Sequence, residues 1–126
     1  MPHDFTTLEA WKLSHKLMID VYEFIKTLPP EEKYIRIDQI KRSVSSIPAN
    51  IAEGNGRYYY LENISFCRNA RGSLDETKNH LLACHDLHQG NSVQCKQLLD
   101  DFDTIRKILN GYIRYLKGMK VGKEEE

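Results

Sequence analysis

The sequence predicts an all-α protein, an antiparallel up-down four-helix bundle. Along four segments, apolar residues recur with the 3.6-residue period of an amphipathic helix. Proline, glycine and asparagine stand between these segments and leave connections of only a few residues, so each helix must run back beside its predecessor. No segment alternates polar and apolar residues as a strand does. The 126 residues are enough for one domain with its own core, and we expect residues 1–126 to form that single domain.

The first helix is predicted at residues 7–28. Leu8, Trp11 and Met18 fall on one face of it, as the helical period requires. Thr6 with Glu9 has the spacing of a capping box at its start. The pair Pro29-Pro30 ends it, because proline cannot continue a helix.

The other three helices are predicted at residues 31–55, 60–89 and 92–117, followed by a tail at 118–126. Gly90 stands where a glycine commonly ends a helix, and therefore closes the third one. Asn91, with Gln94 three residues later, has the pattern that opens a helix and begins the fourth.

Composition excludes several classes of protein. The chain carries 18 basic and 18 acidic side chains, so its net charge gives no argument for nucleic-acid binding, although a local patch remains open. Its longest apolar runs are too short to span a bilayer, and MPHDFTTLEAWK has no secretory-signal pattern. The 3 cysteines are odd in number and match no CxxC spacing, which favours reduced thiols in the cytoplasm.

The segment SSIPANIAEGNGR, residues 45–57, shows three faces on a helical wheel. Its isoleucines continue the apolar core face of the second helix. A polar stripe comprises Ser46, Asn50, Glu53 and Arg57. A stripe of small residues comprises Ser45, Ala49, Ala52 and Gly56. An ordinary surface helix has a solvated remainder rich in Lys and Glu; this segment has none, so we expect contacts on most of its sides and an oligomer contact at the small stripe.

The third helix carries a matching polar face. Gly72, which costs about 1 kcal/mol relative to alanine inside a helix, predicts that another helix approaches closely there. Two interpretations stay open: a structural polar network that sets helix register, or a pocket with paired carboxylates. The structural one is favoured because no nucleophile and base accompany the carboxylates, and we predict no catalytic residue. The predicted motif and network residues are Ser46, Pro48, Asn50, Glu53, Gly54, Arg57, Gly72, Ser73 and Glu76.

These motifs carry a resemblance to a known family. The runs QIKRS from Gln39, SIPANIAEG from Ser46, and ARGSLDE from Ala70, together with Arg57, resemble the 23S rRNA intervening-sequence protein family, a bacterial four-helix-bundle family often labelled ribosomal protein. The resemblance extends from about Trp11 to Leu116. It implies a homo-oligomer, for which a pentameric ring is the expected form. Related proteins of diversity-generating retroelements bind nucleic acid beside a reverse transcriptase. The family has no firmly assigned activity, so the resemblance implies no catalytic residue and no cofactor.

The fourth helix suggests how nucleic acid would be bound. Residues 104–123 contain no acid, and basic side chains alternate there with tyrosines. Such a surface can hold phosphates and stack a base, or its cations can simply complement the helix C-terminus. The candidate nucleic-acid-binding residues are Arg106, Lys107, Arg114, Lys117, Lys120, Tyr112 and Tyr115. Tyrosines 58–60 in the turn before the third helix can likewise stack bases, or pack over the bundle end.

Three functions compete on the sequence. The first is a non-enzymatic, homo-oligomeric bundle protein that binds RNA or DNA as an accessory. The alternative is an interaction and assembly module that binds no nucleic acid. The third is a carboxylate or metal-dependent enzyme, for which His80, His85, His88 and Glu76 would be the ligands. His80 lies well over 100° from His85 on the helix, and the Glu-x-x-His pair of di-metal bundles is absent. We therefore predict no metal site and no enzyme.

Overall fold

The computed structural model describes residues 4–125, with side chains as far as Met119. The described residues form four long helices and contain no strand, which confirms the all-α prediction. The helices are α1 (Glu9–Ile25), α2 (Asp38–Asn55), α3 (Tyr60–Asp86) and α4 (Ser92–Glu125).

The four helices pack as a ring of neighbours. α2 lies between α1 and α3, α3 lies between α2 and α4, and α4 returns to contact α1. Each helix turns its apolar stripe inward, and the side chains that are less than 2% exposed form a single core. The largest of these are Phe24, Phe102, Leu17, Ile40, Ile47, Ile51, Ile64, Leu74, Leu81 and Leu109. The predicted four-helix bundle is confirmed.

The start of α1 differs from the prediction. Asp4 accepts hydrogen bonds from both the backbone N–H and the hydroxyl of Thr6, at 3.0 and 2.7 Å. A 3₁₀ turn, Phe5–Thr7, follows, and α1 begins only at Glu9, with Leu8 at its N-cap position. The capping box predicted at Thr6 and Glu9 is therefore wrong, because Asp4 already engages the Thr6 side chain.

The link between α1 and α2, residues 30–37, will be called the connector. It consists of a 3₁₀ turn, Pro30–Glu32, and a π-helical turn, Lys33–Ile37, where the sequence predicts the start of the second helix. Two side-chain contacts hold the connector near the C-terminal end of α3. Arg36 contacts His80 of α3 at 3.2 Å, and Gln89, just after α3, donates to Glu32 at 3.1 Å.

α3 ends at Asp86, three residues before the predicted end. The N–H of Gln89 bonds to the carbonyl of Cys84 at 2.9 Å, and that of His88 to His85 at 3.2 Å. This is the Schellman pattern, and it places His88 at a φ of 56°, the left-handed conformation that usually belongs to glycine. His88, and not Gly90, therefore occupies the position that ends the helix.

Gly90 lies in the turn that connects α3 to α4. Its φ is 78°, and a Cβ there would lie 2.9 Å from atoms of Phe24, Thr27 and Leu28 at the end of α1. The α3–α4 turn thus packs directly on α1. Asn91 caps α4 by accepting from the N–H of Gln94 at 2.9 Å, as predicted.

α4 is longer than predicted. The sequence predicts a helix to residue 117 and a tail beyond it, whereas α4 continues to Glu125. Among the α4 side chains that are described, as far as Met119, the last buried one is Leu116. No helix within residues 4–125 has the length and apolar character needed to cross a membrane.

Candidate functional site

Three of the predicted motif residues meet where α2 packs against α3. The Ser73 hydroxyl donates to the Ser46 hydroxyl oxygen at 3.0 Å. The amide of Asn50 donates to both the hydroxyl and the backbone carbonyl of Ser46, at 2.8 Å each. All three side chains are half-buried, so Ser46 is the centre of a polar seam between the two helices.

The seam continues one turn further through Ser43 of α2 and Thr77 of α3. Thr77 donates to the Ser73 carbonyl at 2.8 Å, and the hydroxyls of Ser43 and Thr77 are 2.7 Å apart. The Ser43 hydroxyl also lies 3.2 Å from the Ile40 carbonyl, and since each hydroxyl has a single proton, either of the two can donate to the other. Both residues are buried. Thr77 lies among apolar core residues of α3, and its hydroxyl is the one feature of the sequence that could indicate this role.

Glu53 and Arg57 lie outside the seam, at the solvent-exposed end of α2. Arg57 pairs with Glu53 at 2.8 Å, as their four-residue spacing indicates, and approaches Glu62 at 3.9 Å. Its guanidinium also lies 4.9 Å from the ring centre of Phe66. The Glu53 side chain is 56% exposed, so this carboxylate needs no buried partner and does not form a pocket with Ser46 and Asn50.

The close approach of α2 and α3 occurs at Gly54. A Cβ at Gly54 would lie 2.6 Å from the Asn63 side-chain oxygen and 2.9 Å from the Phe66 Cβ. At Gly72 a Cβ would meet nothing within 4 Å. The expectation that another helix of this chain presses against Gly72 is therefore wrong. Gly72 is exposed to solvent on the outer surface of α3.

Pro48 and the small stripe lie elsewhere around α2. Pro48 is buried, and α2 continues through it. The small stripe lies on the flank that faces away from α3, where the Ser45 hydroxyl and the Tyr22 hydroxyl are 3.2 Å apart. Ser45 and Ala52 are half-buried, and Ala49 and Gly56 are exposed.

The four residues of the metal hypothesis are dispersed. His80 is 8% exposed and its Nδ1 faces Arg36. Glu76 approaches the Nε2 of His80 only to 3.9 Å. His85 and His88 are exposed near the end of α3. Within the described residues, no group of three or more His, Cys, Asp and Glu side chains is placed to hold a metal ion.

The candidate basic residues of α4 divide into paired and unpaired groups. Arg106 forms an ion pair with Asp75 of α3, so its charge is already balanced. Lys107, Arg114 and Lys117 are exposed and form no ion pair with a carboxylate of the described residues. The side chain of Lys120 lies outside the described residues.

The two tyrosines of α4 differ in exposure. Tyr112 is half-buried, and its hydroxyl accepts a hydrogen bond from Asn63 at 3.3 Å. Burial raises the pKa of Tyr112. Tyr115 is 55% exposed and lies parallel to Tyr112, with ring centres 6.3 Å apart. Only Tyr115 offers an open ring face to a base.

The packing of α3 on α4 adds two arginines that the α4 segment alone does not contain. Arg71 of α3 donates to Asn110 of α4 at 2.8 Å. Arg68 stands three residues before it, a spacing that places both on one side of the helix, and is exposed. The antiparallel register set by the Arg71–Asn110 contact brings Arg68 opposite the turn that carries Arg114. The term basic face will denote these side chains: Arg68, Arg71, Lys107, Arg114 and Lys117.

The turn between α2 and α3 exposes two of its three tyrosines. Tyr58 and Tyr59 are 73% and 58% exposed, and their rings meet edge to face at 4.8 Å. Tyr60 is half-buried and packs against the core. Tyr60 therefore packs over the end of the bundle, whereas Tyr58 and Tyr59 project into solvent.

Comparison with known proteins agrees with this architecture. The family model described as 23S rRNA-intervening sequence protein matches residues 6–111. The chain is also similar to the crystal structure of a protein with unknown function from the S23 ribosomal protein family of Bacteroides thetaiotaomicron. The TM-score is 0.72 at 22% sequence identity, covering 82% of this chain and 97% of that one. At that identity, the likeness concerns the fold alone. No curated protein matches the chain.

Proposed function

The chain belongs to the 23S rRNA-intervening sequence protein family, and from this premise we propose that it is a non-enzymatic, homo-oligomeric accessory protein that binds RNA or DNA. The observation that carries the proposal is the basic face. Lys107, Arg114 and Lys117 are exposed without a carboxylate partner among the described residues, while Arg106 nearby is paired with Asp75. Unpaired surface cations bind phosphates through the release of condensed counterions.

The length of α4 argues against the alternative explanation of these cations. Charges complement a helix macrodipole only within its last turn. α4 ends at Glu125, eight residues after Lys117 and more than two turns away. Lys107 and Arg114 lie still further from the helix end. Interaction with the helix terminus therefore does not account for the three cations, which supports the proposal that they bind phosphates.

The dimensions of the basic face suit a nucleic-acid backbone. Lys107 and Lys117 are ten residues apart on one helix, which is about 15 Å along its axis. Phosphates of one duplex strand succeed each other every ~3.4 Å along the duplex axis, so several fall within this span. Tyr115 adds an exposed ring on which an unpaired base can stack.

Assembly would compensate for the small size of one basic face. A single face offers five cations on a chain whose net charge is zero, so the affinity of one copy for phosphate is limited. Joining copies raises the affinity for a long ligand, because each further contact becomes intramolecular. The exposed Ala49 on α2 and the exposed Gly56 at its C-terminal end support the proposal of a contact between chains, since small residues let helices approach closely.

The buried thiols support a reducing location, and we place the protein in the cytoplasm. Cys67, Cys84 and Cys95 are each fully buried and unpaired. Burial raises the pKa of Cys67 to about 12 and that of Cys84 to about 11, which keeps both thiols protonated and unreactive.

The experiment that tests nucleic-acid binding is a salt titration on a structured RNA hairpin and on a DNA duplex of equal length. The test variant is Arg114→Gln/Lys117→Gln. The control is Lys12→Gln/Lys96→Gln, which removes the same charge from two exposed lysines outside the basic face. Each lost phosphate contact should reduce the slope of log K against log salt by about 1, so the test variant should lose about 2 and the control nothing.

Three results would count against the proposal. They are an absence of binding by the unsubstituted protein, a binding constant that does not respond to salt, and an equal loss in the control. An absence of binding in a protein that still assembles would instead favour the interaction and assembly module. The relative affinities for the hairpin and the duplex identify RNA or DNA as the ligand.

A further inference from the structure

The connector is tied to α3 by an unusual side-chain contact. The Nη1 atom of Arg36 lies 3.2 Å from the Nδ1 atom of His80. His80 is 8% exposed, and Arg36 leaves the π-helical turn of the connector to reach it. The contact spans 44 residues of sequence, so it holds two distant segments together.

The chemistry of the two side chains determines which of them carries the proton. A guanidinium can only donate hydrogen bonds and stays charged at any ordinary pH. The Nδ1 atom of His80 must therefore be the acceptor, which requires an imidazole that is neutral and protonated on Nε2. That Nε2 atom faces Glu76 at 3.9 Å, too far for a hydrogen bond. The Arg36–His80 contact exists only while His80 is neutral.

The surroundings of His80 oppose its protonation. Burial lowers the pKa of His80 from its ordinary value, and the charges of Arg36 on the connector and Arg42 on α2 lower it further. Glu76, on α3 itself, acts in the opposite direction. The Glu76 side chain is 52% exposed and screened by water, whereas Arg36 touches the ring directly. A second proton on the ring would place two cations against each other.

The rest of the connector is weakly held. Its π-helical turn closes with an i to i−5 hydrogen bond from the Asp38 N–H to the Lys33 carbonyl, a rare geometry that occurs mostly as single turns. Tyr34 and Ile35 in the middle of the turn are 80% and 61% exposed, so they add little burial. Besides the Arg36–His80 contact, the Glu32 side chain of the connector accepts a hydrogen bond from Gln89, in the turn that follows α3. Loss of the Arg36 contact would remove one of these two side-chain ties.

We propose that the Arg36–His80 contact is a proton-sensitive latch, which holds the connector on α3 at neutral pH and releases it when the imidazole is protonated in mild acid. The release changes the exposure of residues 33–37 without unfolding the bundle, because the core side chains of α2 and α3 do not depend on this contact.

The direction of the pH effect follows from linkage. Once the connector is released, His80 is more exposed and its pKa returns toward the ordinary value of about 6.5. Because the latched state has the lower pKa, the released state binds the proton first as the pH falls. Release therefore becomes more favourable below about pH 6.5, by at most about tenfold per pH unit for one proton. Above that pH both states hold a neutral imidazole, and the equilibrium does not change.

Amide hydrogen exchange tests the latch. Protection factors of the backbone amides in residues 33–38, corrected for the intrinsic pH dependence of exchange, are compared between about pH 7.5 and about pH 5.5. We expect them to fall several-fold in the unsubstituted protein, while those of Ile47 and Leu74 in the core stay the same. In His80→Gln, whose amide oxygen can accept from Arg36 at any pH, they should not change.

A matched control and a second variant keep the result unambiguous. His85→Gln replaces an exposed histidine of the same helix and should retain the pH dependence. Arg36→Gln keeps His80 but removes the cation, and should lower connector protection already at about pH 7.5. Protection that is independent of pH in the unsubstituted protein overturns the proposal, as does a pH dependence that persists in His80→Gln. If His80→Gln does not fold, a connector in Arg36→Gln as protected as in the unsubstituted protein overturns it.

Discussion

Glycine has opposite effects at two positions of the α2–α3 pair. At Gly54 the backbones approach so closely that the position of a Cβ is already occupied by Asn63 and Phe66. At Gly72 the same atom would meet open space. The first glycine is required by packing within the chain. The second carries the conformational cost of glycine in a helix without an internal contact that requires it.

Alanine substitutions at these two positions should change stability in opposite directions. We expect Gly54→Ala to lower the free energy of unfolding by about 1–3 kcal/mol, because the methyl group forces α2 and α3 apart. We expect Gly72→Ala to raise it by about 0.5–1 kcal/mol, because alanine loses less backbone entropy on folding. Urea unfolding at one fixed protein concentration measures both.

Gly56→Ala provides a control at the end of α2. The position is exposed, and the nearest contact of its Cβ is an ordinary 3.5 Å, so we expect no destabilisation comparable to that of Gly54→Ala. Equal effects of the alanines at positions 54 and 72 would contradict the close approach at Gly54.

The polar seam could be predicted from the sequence only in part. The helical spacing of Ser46 and Asn50 was sufficient to place them on one stripe, and Ser73 on the facing helix completed it. Spacing could not separate Glu53 from them, although Glu53 lies near the exposed end of α2. A wheel gives the direction of a side chain around the helix axis and does not show where along the bundle the neighbouring helix stops covering it.

The helices themselves were predictable, and their ends were less so. The apolar period gave all four, because each buries one stripe in the same core. The sequence predicts α-helix through the connector because Ile37 continues the apolar period of α2, and a π-helical turn has no separate sequence signal. The end of α3 was misplaced because glycine is the usual left-handed residue, and here His88 takes that conformation.

Replacing His88 by glycine should stabilise α3 at its C-terminus. A side chain in the left-handed conformation costs roughly 1–2 kcal/mol, and glycine avoids this while it loses more entropy on folding. We therefore expect His88→Gly to raise the free energy of unfolding by about 0.5–1 kcal/mol. Thermal and urea unfolding measure the change.

His88→Ala separates the backbone effect from the loss of the imidazole. Alanine keeps the Cβ, so we expect stability within about 0.5 kcal/mol of the unsubstituted protein. The His88 ring is exposed, and little packing is lost with it. A gain in His88→Ala as large as that in His88→Gly would show that the ring, and not the backbone conformation, is responsible.

For the molecule as a whole, a net charge of zero conceals an uneven distribution. Charge counting could not identify the basic face, because Arg68 and Arg71 join the cations of α4 only through the antiparallel packing of α3 on α4. The same packing neutralises Arg106 with Asp75. Candidate residues chosen from a single helix therefore contained both paired and unpaired cations, and the partner helix determines which are available to a ligand.

Assembly depends on surfaces that packing within one chain leaves uncovered. On α2 the flank toward α3 is occupied by the polar seam and Gly54. The other flank carries the small stripe, with Ala49 and Gly56 exposed. A second chain that packs on this stripe would approach closely only as long as the side chains there stay small.

Leucine at the small stripe should therefore disrupt assembly. We expect Ala49→Leu, and more strongly Ala49→Leu/Ala52→Leu, to reduce the mass of the particle in sedimentation velocity, because the larger side chains keep the partner helix away. Asn79→Leu, at an exposed position of α3, introduces the same side chain elsewhere and should leave the mass unchanged. Circular dichroism checks that the helices are retained. A particle of the same mass in all four proteins, the unsubstituted one included, would exclude the stripe as the contact, and a monomeric unsubstituted protein would exclude assembly itself.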